Sequence, residues 1–420
     1  MKRNLIYIPE YTRWDNMFVF IGTALEKDML KIVKDQLTKD LVSETPSLLA
    51  KWTPSENTSS AETCALATRI RKYLGLSSKQ YRKTLSALRK KINVLEKLMS
   101  DRRWDEIEFD KIPSKAGIKY RKAFERHDID RKENNPEVQS YADFAKSKDT
   151  KVNTKTLFPY ECVSEAMKLM GYGGGWYSRH NEIDLNNTER LMINKYWNNL
   201  ENYFKDASFN GMAVVDTSGS MCRSSADAPI NVAISLGLYC AEKAKGPYHG
   251  HFITFSSNPT FVETEGVDFC DKVQRMSKAE WGGSTNIEAA FDLILDVALQ
   301  NKLSQDEIPE NLIIISDQEY DACATFGAAS YDRWGRHNKA PTKTLFEQIE
   351  AKWNSYGYIL PKLVFWNVDA RQNNIAMTVK DGVSFVSGMS PSIFQQIMSG
   401  KTAADLMYEV LNQARYSIIQ

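Results

Sequence analysis

The chain has no C-x-x-C pair, no H-E-x-x-H motif and no apolar run long enough to cross a bilayer. Its six cysteines (Cys64, Cys162, Cys222, Cys240, Cys270, Cys323) are scattered. That excludes a zinc knuckle and a dense disulfide framework, and it points to reduced thiols. His180-Asn-Glu182 lacks the P-C-x-x-C partner of a zinc deaminase, so zinc hydrolysis is set aside. Met1 to Glu10 is basic, but its apolar stretch is too short for a signal peptide. These absences predict a cytoplasmic protein with no membrane partner.

Net charge is nearly absent as well, with 54 Lys+Arg against 53 Asp+Glu. The balance hides an asymmetry. Residues 1–200 hold 36 Lys+Arg against 27 Asp+Glu, and residues 201–420 hold 18 against 26. A basic front and an acidic rear suggest two functional surfaces. At 420 residues the chain can bury more than one core. The patterning divides it into a mainly helical, basic domain over 1–205 and an α/β domain over 206–420.

In the front half, Met17-Phe-Val-Phe-Ile21 reads as a strand or the buried side of a loop. Glu26 to Leu41 has helical spacing, and the Ser/Thr/Asn/Pro-rich 45–60 reads as a surface connection. Ser77-Ser-Lys-Gln80 fits a capping box. After it, Tyr81, Leu85, Leu88, Ile92, Leu95 and Leu98 predict one amphipathic helix. From Arg69 to Lys97 there are ten Lys/Arg and a single acid, Glu96. Lys79, Arg82, Lys83, Arg89, Lys90 and Lys91 are therefore candidates for a phosphate-facing stripe. The competing account is a solvated helix face shielding a core. Ser114 is placed to cap a helix past Phe124, and Phe158-Pro159 opens another. Gly171-Tyr-Gly-Gly-Gly175 lacks phosphate-loop spacing and reads as a flexible joint.

From residue 209 the pattern becomes strand alternating with helix. Gly211–Val215, His251–Phe255, Thr260–Glu263, Leu312–Ser316, Lys362–Trp366 and Ser384–Ser387 read as strands. Helices are expected over 230–244, 286–299, 344–353 and 403–414. Continuous apolar strands between helices predict a doubly wound, mostly parallel Rossmann-like sheet covered on both faces. In such sheets ligands bind outside the carboxyl ends of the strands.

Those ends carry hard oxygen donors. Asp216-Thr-Ser218-Gly-Ser220 follows the first strand, Asp317 follows Leu312–Ser316, and Thr285 lies in Gly282-Gly-Ser-Thr285-Asn286. Two carboxylates and three hydroxyls suit Mg²⁺ best, with Mn²⁺ or Ca²⁺ as alternatives. This pattern resembles the metal-ion-dependent adhesion site of von Willebrand factor A domains over about residues 208–415. The resemblance implies that Ser218, Ser220 and Thr285 ligate the ion directly, and that Asp216 and Asp317 act directly or through water. It also implies an open position that takes a carboxylate from a protein partner. The whole chain is similar to the domain of unknown function 2828 family, found in viruses and plants, through Tyr81-Arg-Lys-Thr-Leu-Ser86, Ile112-Pro-Ser114, Leu157-Phe-Pro159 and the rear motif. If the chain is viral, the host cytoplasm is its expected place. A helical front before an A-type rear also looks like the TROVE/Ro layout, where RNA binds the helical part.

The favoured function is a non-enzymatic binding protein: a cation-dependent rear that docks an acidic group, and a front that grips structured or single-stranded RNA. One alternative is a metal-dependent phosphoesterase or nuclease using His249, His251 or Asp321 as acid–base groups. A nuclease gathers more carboxylates than this set holds, and hydroxyl-heavy coordination leaves an ion hungry for an anion. A scaffold with a purely structural ion is the remaining alternative.

Overall fold

The computed structural model describes residues 2–171, 183–204, 210–222, 225, 227–255, 258–277, 287–317, 345–369, 377–380, 383–391, 393–394, 397 and 403–419. The chain divides into two compact units. One holds residues 1–108, 126–140 and 409–420, and the other holds 109–125 and 141–408.

The first unit is helical. Glu26–Val42 forms because Met29, Leu30, Val33 and Leu37 recur on one face, and all four are buried. They share a core with Ala67 and Ile70 of the helix Ala61–Leu74, and with Tyr81, Leu85 and Leu88 of Ser78–Lys91. Three expectations for this unit change. Met17 and Phe18 are buried in a 3₁₀ helix, Trp14–Phe20, rather than in a strand, because a short apolar run carries no periodicity to separate the two. The connection over 45–60 contains a helical turn, Leu49–Trp52, that buries Leu49 and Ala50 completely.

The third change concerns the amphipathic helix after Ser77. The capping box forms: the Gln80 N–H donates to Ser77 Oγ at 3.3 Å, and the Ser77 N–H donates to Gln80 Oε1 at 2.9 Å. The helix then stops at Lys91. Asn93 takes a left-handed conformation (φ 46°), the Val94 N–H closes back onto the Arg89 carbonyl at 3.3 Å, and a new helix runs Leu95–Ser100. Asparagine tolerates that conformation better than any residue except glycine. Asn93→Ala should therefore cost about 1–2 kcal/mol, and Asn93→Gly much less, by urea unfolding.

The second unit holds a seven-stranded sheet of order β3-β2-β1-β4-β5-β7-β6. Its strands are β1 Gly211–Asp216, β2 His251–Phe255, β3 Phe261–Glu263, β4 Asn311–Ser316, β5 Lys362–Asn367, β6 Met377–Lys380 and β7 Val383–Ser387. The five strands β2, β1, β4, β5 and β7 are parallel, and β3 and β6 are antiparallel edges. The helical region followed by a mostly parallel α/β sheet is the expected fold class. One face packs Phe291, Ile294 and Trp353 on Val214, Ile314 and Phe365. Against the other lies Pro229–Lys243, buried over nearly its whole girth. Gly237 lets that helix come close, since a Cβ there would stand 2.6 Å from Val215 Cγ2. The helices Pro159–Leu169, Thr188–Asn198 and Phe269–Ser277 pack together, and Pro159–Leu169 also lies against Pro229–Lys243. Ser114 does not cap the helix Ser114–Arg126; its hydroxyl meets Thr156 Oγ1 at 3.0 Å.

Candidate functional site

β1 lies between β2 and β4, so the strand order reverses beside it. That is the switch point where open parallel sheets leave a crevice at the carboxyl ends of their strands. Asp216 ends β1, and Asp317 follows β4. Register pairs Val215 with Ile315, which brings both carboxylates to the same end.

Asp216 is completely buried. Its Oδ1 accepts the Ser218 N–H at 2.8 Å, an Asx-type turn that swings the chain out of the strand. Its Oδ2 accepts the hydroxyl of Ser316. The next residues form a 3₁₀ turn, Gly219–Met221, pinned by the fully buried Met221. That turn sets Ser218 Oγ 3.0 Å from Ser220 Oγ, and Ser220 Oγ donates to Asp317 Oδ1 at 3.0 Å. Asp317 and Ser218 are nearly closed off, whereas Ser220 is exposed. Four of the five oxygen-bearing residues proposed from sequence thus lie in one hydrogen-bonded chain, open to solvent at Ser220. The fifth, Thr285, lies outside the described residues, as do Asp321, His180 and most of the glycine-rich segment after Gly171.

Burial raises the Asp216 carboxyl above its ordinary range; the bonds from Ser316 and Ser218 pull it part of the way back, and the charge of Asp317 adds to the rise. A divalent cation bound beside the buried Asp216 carboxyl would favour its ionised form. The donor set also fits, because carboxylate and hydroxyl oxygens are the ligands that Mg²⁺ accepts. Among the described residues no cluster of three His, Cys, Asp or Glu could hold a metal, so a softer N/S site has no counterpart there.

Ser316 was missed in the sequence, where it reads only as the end of an apolar strand. The acid–base histidines of the hydrolytic alternative do not reach this crevice. His251 begins β2, which runs parallel to β1, so it stands at the opposite end of the strands, about 13 Å along the chain direction. His251 is half-buried with its ring edge-on to Phe261, and His249 Nδ1 is engaged by the Ala244 carbonyl at 2.8 Å.

The basic helix Ser78–Lys91 is a second candidate site. Lys79, Arg82, Lys83 and Lys90 are exposed. Arg89 turns inward: its guanidinium donates to the Ala50 and Thr53 carbonyls and to Ser55 Oγ, each at 2.8–2.9 Å. Lys91 donates to the Leu41 carbonyl at 2.9 Å, at the end of the Glu26–Val42 helix. Sequence shows which residues are cationic, but not which cations serve internal carbonyls.

Residues 68–208 match the family model described as domain of unknown function 2828. Residues 210–416 match a second one, domain of unknown function 7788. Uncharacterized protein L728 of Acanthamoeba polyphaga mimivirus is 33% identical over 394 residues, which is 89% of this chain. The chain spans 63% of that viral relative's length. The crystal structure of the Deinococcus radiodurans RO (RSR) protein aligns with 96% of this chain and 84% of its own, at 12% identity and a TM-score of 0.46. No helix among the described residues is long and apolar enough to cross a membrane. In sequence the chain is thus similar to two families of unknown function, met in tandem, and to a viral protein.

Proposed function

We propose that this is a non-enzymatic binding protein of the cytoplasm, the host's in a viral setting. Its α/β unit binds Mg²⁺ at Asp216, Ser218, Ser220, Thr285 and Asp317 and docks a carboxylate of a protein partner. The observation that carries this reading is the linked set of Asp216, Ser218, Ser220 and Asp317 at the switch point, with Ser220 open to solvent. A bound Mg²⁺ would supply an electrophilic position for an acidic oxygen. The chain's own residues do the rest. Asp216 supplies buried negative charge, Ser316 fixes the orientation of that carboxylate, and the 3₁₀ turn holds both serine hydroxyls towards one point. The von Willebrand factor A resemblance supports the same arrangement. Partner capture by the intact protein should disappear with chelator and in Ser218→Ala, while the unfolding midpoint without metal stays within a few degrees. Capture that survives both treatments would remove the docking function.

The helical unit, on this proposal, binds RNA through Lys79, Arg82, Lys83 and Lys90. Four phosphate contacts on a single strand would give a slope of log affinity against log salt near −3, at about −0.7 per contact. Lys79→Ala with Lys83→Ala should flatten that slope by about 1.4. Binding without salt dependence would argue against the stripe.

A further inference from the structure

The face of the sheet that packs on Phe291 and Trp353 changes character at a single step. Register sets Ile253, Val214, Ile314, Phe365 and Phe385 side by side across β2, β1, β4, β5 and β7, and this row is wholly apolar. Side chains two residues further along each strand share the same face. There the row reads Phe255, Asp216, Ser316, Asn367 and Ser387. Only Phe255 continues the core. The other four stand at the carboxyl ends of their strands, where an open parallel sheet binds its ligands.

Exposure grows along this row. Asp216 and Ser316 are buried and bonded to each other, whereas Asn367 and Ser387 are half-buried. Asn367 Oδ1 accepts the Asp369 N–H at 2.9 Å, so the amide is fixed with Nδ2 as its donor end. Among the described residues neither Asn367 Nδ2 nor the Ser387 hydroxyl has a partner. Polar groups drawn partly from water are stabilised by a ligand that bonds to them.

We propose that Asn367 and Ser387 read the residues beside the partner's docked carboxylate, and that those residues are neutral and polar. The inference rests on the cation reading of Asp216, Ser218, Ser220 and Asp317. Neighbouring strands lie about 4.8 Å apart, so Ser387 stands about 14 Å from Asp216 along the row. An extended chain covers that span in about four residues. Its carbonyls and amide side chains accept from Asn367 Nδ2 and exchange bonds with the Ser387 hydroxyl. Apolar side chains would strand both groups. A second acid would meet the carboxyl of Asp369, two residues after Asn367, and like charges oppose each other there. The occupant is therefore an extended segment with a single acid and neutral polar neighbours.

Labelled heptapeptides titrated into the full chain at saturating Mg²⁺ test this. Each carries one central aspartate, flanked by Ser, Asn and Gln in the polar peptide and by Leu, Val and Ala in the apolar one. The polar peptide should bind at least about tenfold more tightly. Ser387→Ala, which removes one hydroxyl, should weaken it at least about threefold. Asn367→Asp should do the same, since it keeps the acceptor for the Asp369 N–H and removes the donor. Mg²⁺ affinity in Ser387→Ala should stay within about twofold of native. A matching loss of Mg²⁺ affinity would place Ser387 in the cation site and overturn its role as a reader. Equal affinity for the two peptides, binding of neither, or an unchanged polar peptide in either variant also overturns the proposal. With Mg²⁺ bound, those results leave the cation reading standing. A native chain without saturable Mg²⁺ binding refutes the cation reading and this inference together.

Discussion

Truncating Arg190 to alanine lowers the stability of the sheet-bearing unit by about 1.5–3 kcal/mol, the cost of losing charge-assisted hydrogen bonds to a partly buried carboxylate. Arg190 is 8% exposed at its side chain and grips Asp268 with two parallel bonds of 2.8 and 2.9 Å. Its third arm donates to the Ile183 carbonyl at 2.6 Å. Asp268 also accepts from Asn194 at 2.8 Å and from the Asp271 N–H at 2.8 Å, so it caps the helix Phe269–Ser277. One carboxylate therefore ties the Thr188–Asn198 helix to the start of another. Arg190→Lys should lose less, since it keeps the charge and forfeits only the fork.

The pH dependence follows with a definite sign. Burial alone would raise the Asp268 carboxyl, but the Arg190 bonds and the helix N–H outweigh it and hold the group below its ordinary range. A depressed carboxyl contributes stability above its unfolded value, near 3.9, that is lost as pH falls through the lower folded value. In Arg190→Ala the depression and its contribution are removed, so the stability difference between the native sequence and the variant should narrow as pH falls towards 3. Urea unfolding from pH 3 to 7, followed by tryptophan fluorescence, reads both effects.

Asp216→Ala carries the other large effect, the loss of Mg²⁺-dependent stabilisation. At a hundred times the dissociation constant, a cation that binds only the folded state adds about 2.7 kcal/mol, and the variant should gain none of it. The sign of the metal-free effect is opposite to that of Asp268. Asp216 has a raised carboxyl, so its contribution is fully present below the unfolded value and is lost as pH rises through the folded one. Without metal, Asp216→Ala should therefore gain relative stability as pH rises. In the native sequence Mg²⁺ affinity should fall as pH drops into the range where Asp216 takes up its proton.

The sheet was legible because its strands are continuous apolar runs, of which Leu312-Ile-Ile-Ile315 is the plainest. The two-fold antiparallel edge was half legible. β6 went unseen, although Asp381-Gly382 between it and β7 is a sequence signal for a two-residue hairpin. The helix Phe269–Ser277 also went unseen, although Phe269, Val273 and Met276 have helical spacing and are buried. Asp216, Ser218, Ser220 and Asp317 could be grouped from their places after strands. Ser316 could not, because its role depends on the register of β4 against β1. Asn93 escaped for a different reason. Apolar periodicity runs through it unbroken, and one positive φ decides where the helix ends.

Calorimetric titration of Mg²⁺ into the chelator-stripped protein tests the central claim most directly. The account predicts one saturable site at neutral pH that weakens on acidification and vanishes in Asp216→Ala. The absence of saturable binding in the native sequence, or equal affinity in Asp216→Ala, would contradict it.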